Sequence, residues 1–168
     1  IQARAEGNWR VERDLPAHAS AEDTAGALRE MAGELVYRVF TTNVPTGSKK
    51  WEAVKWFSEG LRAYRRTLTT DMDKKIYLRE AERHFFEALR LDKTFARCSY
   101  NLGIVYRDRE KPIKARAAFE RAIEDNPVHP DAAYALSMIH AEAEQWRLAL
   151  EFANRAIAHA PRDIRAWT

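Results

Sequence analysis

One cysteine, six glycines and six prolines are all that 168 residues hold of the types that staple, bend or break a chain. With Cys98 alone, no intrachain disulfide forms and no cysteine-based zinc knuckle is available, since either needs at least two thiols. So few turn formers exclude a protein built from hairpins, and the Ala, Leu, Glu and Arg that fill the remainder favour helices. No apolar run nears the roughly 20 residues that cross a bilayer, and no basic start with an apolar middle marks a leader. Neither charge sign dominates: 28 Lys and Arg stand against 25 Asp and Glu, for a formal net charge of +3. A hydrophobic fraction of 46% excludes disorder. What is left is a soluble helical chain of about one domain. It begins at Ile1 rather than Met, and the expectation is a fragment of a longer protein.

Against this plain background the sequence repeats itself. Shifted by 34 residues, Ala81 falls on Ala115 and Ala149, Ala88 on Ala122 and Ala156, and Leu89 on Ile123 and Ile157. Phe85 falls on Phe119 and then on Ala153. Small and large apolar types recurring at one spacing are what stacked units require, because each unit must offer its neighbour the same holes. Inside a unit the spacing is helical. Tyr100, Leu102, Gly103, Ile104 and Tyr106 are followed by a polar stretch, and Pro112 suits the first turn of a second helix ending before Asn126 and Pro127. The following unit predicts helices near 131–142 and 145–159.

The residues Leu102-Gly103, Tyr106, Ala115, Phe119, Ala122 and Pro127 resemble a tetratricopeptide repeat at its usual length of about 34 residues. The copy at 96–129 departs from the family only at its Trp, where this chain has Ser99. The copy at 130–161 is more degenerate: Ser137 replaces Gly, His140 replaces Tyr and Ala153 replaces Phe. An earlier unit at 51–93 holds Trp51, Trp56, Gly60, Ala81 and Phe85, and its Gly-to-Ala spacing is longer by nine residues, which puts an insert near 66–75. The resemblance implies an all-α fold, a right-handed α-solenoid of antiparallel helix pairs over 51–161. Ile164 to Trp167 read as the start of a further repeat at 162–168.

Residues 20–44 predict an amphipathic capping helix. Ser20 to Asp23 form a capping box, and Leu28, Ala32, Leu35, Val36, Val39 and Phe40 mark an apolar stripe that should lie on the first repeat as a lid. Residues 8–13 alternate like a short strand, but with no second strand apparent residues 1–19 are expected to be an extended arm or the tail of a preceding domain.

Catalytic chemistry is scarce. The five histidines show no metal-ligand pairing, and no nucleophile elbow, phosphate-binding loop or dinucleotide fingerprint occurs. The expectation is no enzyme, no cofactor and no metal. His140 stands where the family packs a Tyr, and Cys98 reads as a small buried apolar group. Residues 49–90 carry eleven basic against seven acidic side chains. Exposed aromatics do not alternate with them as in a nucleic-acid platform, so RNA binding is the weakest reading.

In a solenoid of helix pairs the first helix of each unit lines the groove, and its residues three and four apart face inward. These are Phe57, Leu61 and Tyr64 in the first unit, Arg97, Tyr100, Asn101, Ile104 and Arg107 in the second, and Tyr134 and Met138 in the third. Tyr100, Asn101 and Tyr134 read as central contacts, with Arg97 and Arg107 as charge guides, while packing of Tyr100 and Tyr134 between helices is an equal alternative. The carboxylate clamp of chaperone-adaptor repeats, rich in Lys, Arg and Asn, finds only Asn101 here; Asp131 and Ala135 stand at later clamp positions. The leading function is a protein–protein interaction module that binds a peptide or helix of a partner. The alternative is a regulatory or sensor segment of a larger catalytic or membrane-attached protein. Self-association through the C-terminal helix, no membrane insertion and a cytoplasmic location complete the expectations.

Overall fold

The computed structural model describes residues 2–5, 9–12, 20–41, 47–69 and 73–159, giving only the backbone for 2–5, 9–12 and 35–41. The expectation for 162–168 lies outside these residues. The chain folds as two compact units, Ile1–Trp51 and Glu52–Thr168.

In the first unit β1 (Gln2–Ala5) and β2 (Trp9–Glu12) pair antiparallel, with Ala3 opposite Val11, and helix α1 (Ala21–Thr41) packs on both. The strand anticipated around 8–13 therefore has a partner in Gln2–Ala5, so the opening is a ribbon rather than a lone extended arm. The capping box closes reciprocally: Ser20 N–H donates to Asp23 Oδ2 at 3.0 Å, and Asp23 N–H donates to Ser20 Oγ at 3.1 Å. The Ser20 hydroxyl and N–H hold the Asp23 carboxyl below its usual range. The anticipated apolar stripe needs correction in its described part. Leu28 and Ala32 are exposed, while Met31 is buried and a methyl group on Gly33 would lie 3.0 Å from the Trp51 indole.

The second unit is all-α, a row of helix pairs. Helix α2 (Trp51–Arg66) pairs with α3 (Lys74–Leu91), α4 (Ala96–Asp108) with α5 (Pro112–Asp125), and α6 (Pro130–Glu142) with α7 (Trp146–His159). The first two pairs close where a glycine meets a ring. A methyl group on Gly103 would lie 2.5 Å from Phe119, and one on Gly60 would lie 2.5 Å from Phe85. Both rings are almost fully buried and cannot swing aside. In the third pair the same two positions are Ser137 and Ala153, so a larger residue on one helix is matched by a smaller one on the other.

The period extends to the backbone. Glu110 and Glu144, 34 apart, both adopt left-handed conformations with φ of 56° and 57°. Each ends a first helix in a turn where the following residue's N–H reaches back five residues, Lys111 to Tyr106 O and Gln145 to His140 O. Between pairs, Arg121 donates to Lys93 O at 2.8 Å and Arg155 to Pro127 O at 3.0 Å, again 34 apart at both ends. These guanidinium bonds tie α5 and α7 each to the turn before its own pair, which holds the pairs in fixed relation.

The nine extra residues of the first pair are shared among three places. Helix α2 continues one residue further than α4 does in the common register, residues 67–73 replace a three-residue turn, and α3 starts one turn early at Lys74. Thr67, Leu68 and Thr69 donate to carbonyls three residues back, so the left-handed turn of the other pairs is replaced by a tighter coil.

The Gly103 contact predicts a measurable coupling. Gly103→Ser and Phe119→Ala should each destabilise, by about 1–3 and about 3–5 kcal/mol, through overpacking and cavity formation. Together they recreate the Ser137 and Ala153 arrangement and should cost clearly less than the two added. Denaturant unfolding of the four proteins checks this, and strict additivity would refute the contact as the controlling one.

Candidate functional site

The anticipated groove residues fall into register positions, and the structure treats members of one position differently. Phe57, Tyr100 and Tyr134 are equivalent once the insert is allowed for. Phe57 is 6% exposed because Phe85 and Phe95 close on it, with ring centroids 5.7 and 4.9 Å away. It is a core residue, which corrects its assignment to the groove; Arg97 only lays its guanidinium over this ring, at 5.9 Å. Tyr100 is half-buried between Phe119 at 5.7 Å and His129 at 5.0 Å, so it serves both packing and surface. In the third pair Ala153 stands in place of the covering Phe, and Tyr134 is 57% exposed.

Leu61, Ile104 and Met138 form a second register position and show the same trend, half-buried in the first two pairs and exposed in the third. Five of the ten anticipated residues line one cavity of about 380 Å³: Tyr100, Ile104, Arg107, Tyr134 and Met138. Its walls are α4 and α6. Its floor is Ala115 and Phe119 of α5, which sequence reasoning assigned only to packing, and Ile139 was likewise missed. Asp131 and Glu142 set two carboxylates on the rim beside the one cation, Arg107.

The remaining groove candidates lie elsewhere. Tyr64 joins α2 to α4 by donating its hydroxyl to Asp108 Oδ2 at 2.7 Å. Burial, and then this bond to a carboxylate, push the phenol up to about 12. Arg107 sits 3.4 Å from the other oxygen of Asp108, so the charge guide is already part of a pair. Asn101 donates its side-chain amide to Arg97 O of its own helix at 2.7 Å, which occupies the group expected to meet a peptide backbone.

His140, Cys98 and His129 are engaged in packing and capping. His140 is buried, stacks flat on Phe152 at 5.4 Å and bonds the Gln145 amide oxygen at 2.7 Å through Nδ1, as a packed imidazole should. Cys98 donates to Phe85 O, and burial pushes its thiol well above the ordinary range, so no thiolate is available. His129 caps α6 by accepting the Ala132 N–H on Nδ1 at 3.4 Å. Among the described residues no group of three or more His, Cys, Asp or Glu could hold a metal ion, and no helix is long and apolar enough to cross a membrane.

With this geometry in view, the model of the tetratricopeptide repeat family matches residues 100–164. Those residues are tetratricopeptide repeat sequence. Superkiller protein 3 of Schizosaccharomyces pombe is 30% identical over 89 residues, 53% of this chain. The chain spans only 6% of the length of that relative. The crystal structure of MamA is similar at 15% identity and a TM-score of 0.48, over 84% of this chain and 95% of that one. Tetratricopeptide repeats act in general as protein–protein interaction modules. The repeats here fit that role, with packed helices and one cavity walled by two first helices.

His129 gives the repeats a pH dependence. Burial holds its imidazole below the ordinary 6.5, opposed by Asp131 and aided by Arg97. As pH falls, the unfolded chain takes up this proton first, so stability present above about pH 6.5 is lost toward the lower folded value. The melting temperature should therefore drop more between about pH 7 and pH 5 in the wild type than in His129→Asn, whose amide can still cap α6. Parallel melts of the two proteins check this; equal slopes would rule His129 out as the cause.

Proposed function

We propose that the repeats hold a peptide segment of a protein partner in the cavity between α4 and α6. The observation that carries this reading is the pairing of Tyr134, 57% exposed, with Met138, 46% exposed, on the rim of an enclosed recess. Two large apolar side chains one helical turn apart on a wetted surface cost free energy unless something covers them. A Tyr and a Met cover an apolar ligand side chain at low ordering cost. The rim's Asp131 and Glu142 disfavour a phosphate backbone or a C-terminal carboxylate and favour a neutral or basic peptide. That argues against RNA at this cavity, and peptides ending in an acidic residue should bind poorly.

Tyr134→Ala should weaken a peptide selected against the wild-type chain by about 1–3 kcal/mol without changing helicity, because the ring is little used in packing. Tyr100→Ala, by contrast, should both weaken binding and lower stability, since its ring also packs on Phe119 and His129. Calorimetry and circular dichroism on the two variants separate these outcomes. Peptides that bind Tyr134→Ala as tightly as the wild type would place the site elsewhere.

We also propose that copies of the chain associate through α7. This helix leaves Trp146, Leu148, Leu150 and Ile157 exposed, the last at 74%, while Phe152 is partly withdrawn against His140. Ile157→Glu with Leu150→Glu should abolish concentration-dependent association in sedimentation. A wild-type chain that stays monomeric at high concentration would remove this proposal.

A further inference from the structure

On the opposite side of the helix row, a larger and more open cavity of about 730 Å³ lies between the second helices α3 and α5, with α4 beneath it. Comparison of the three pairs shows where it comes from. In the first pair Trp56 of α2 stacks on His84 of α3, centroids 5.4 Å apart. In the third, His140 of α6 stacks on Phe152 of α7. His84, Ala118 and Phe152 are one register position, and Trp56, Ser99 and Ala133 are another. The second pair thus has Ala118 where both neighbours have a ring, and Ser99 where the first has an indole. Both small residues line the cavity. Ser99 is 1% exposed and its hydroxyl has no hydrogen-bond partner, so nothing polar holds its side chain in place.

The walls define what fits. Leu89, Leu102 and Tyr106 make an apolar floor, and Phe86, half exposed, forms one rim. Four cations, Arg90, Lys93, Lys114 and Arg121, surround it against one acid, Glu87. Arg90 pairs with that acid and Arg121 with Lys93 O and Asp125, which leaves the two lysines as its main uncompensated charges. Burial, with Arg109, Lys114 and Arg79 nearby, holds the neighbouring Lys111 ammonium below its usual range, so positive charge is crowded at that end. A nucleic acid would use the cations but leave the apolar floor uncovered.

We propose that this groove is a second docking site, which takes an acidic peptide segment of a protein partner anchored by one bulky aromatic side chain over Ser99 and Ala118. The ring occupies the volume that Trp56 and His84 fill in the first pair, and flanking carboxylates meet Lys93 and Lys114. This site is separate from the cavity between α4 and α6 and does not depend on it.

The test uses the 168-residue chain and a fluorescein-labelled peptide of Glu and Ala with one central Trp. Saturable binding at low salt is expected. It should fall about tenfold or more when the peptide Trp becomes Ala, in Ser99→Trp, which fills the groove with the chain's own indole, and in Phe86→Ala. Lys114→Glu should weaken it and flatten its salt dependence. Phe86 and Lys114 are exposed, so these variants keep the test decisive if Ser99→Trp fails to fold. Tyr134→Ala should bind as the wild type does, which separates this site from the one between α4 and α6. Absence of saturable binding, indifference to the peptide Trp or to Phe86→Ala, or displacement by an oligouridylate that binds more tightly would overturn the proposal.

Discussion

The separation between paired helices is set by a ring pressed against a residue with no side chain. At Gly103 and Phe119, and at Gly60 and Phe85, there is no room for even one carbon. Other regularities accompany that approach. Alanine stands at positions 81, 115 and 149 and again at 88, 122 and 156, and all six are buried. The common separation lets Arg121 and Arg155 make the same bond to the preceding turn, and lets Glu110 and Glu144 share one strained backbone conformation. The third pair confirms the rule by its exception: Ser137 is tolerated because Ala153 has replaced the ring it would strike.

This explains why so much of the second unit is legible in one sequence. A stack of near-identical units constrains each residue type three times over, so the period, the helix spans and the size of the insert can all be counted directly. The helix anticipated at 131–142 is Pro130–Glu142, and that at 145–159 is Trp146–His159. The first unit has no such redundancy. Gln2–Ala5 carries too weak an alternation to be read as a strand until its partner is known, and the buried face of α1 turns on Met31 rather than on Leu28 and Ala32.

The groove was legible only in part. Register predicts which residues share a face, but not how deeply each is covered, because covering groups come from other elements. Phe57, Tyr100 and Tyr134 are interchangeable by spacing. Phe95 and Phe85 bury the first, His129 and Phe119 half-cover the second, and Ala153 leaves the third open. Asn101 illustrates a second limit, since a free amide in the sequence is spent on its own helix carbonyl in the fold.

The two proposed docking sites lie where the period fails. A perfect repeat fills its own holes: each ring has a partner, and the surface left over is polar and inert. Loss of one ring at position 153 exposes Tyr134 beside Met138 on the side of the first helices. Loss of a ring at 118 and an indole at 99 opens the groove on the side of the second helices. The Gly-to-ring contacts of the first two pairs and the guanidinium ties on α5 and α7 oppose closure of these vacancies by collapse of the backbone. The same rigidity that makes the repeat regular keeps its irregular positions open.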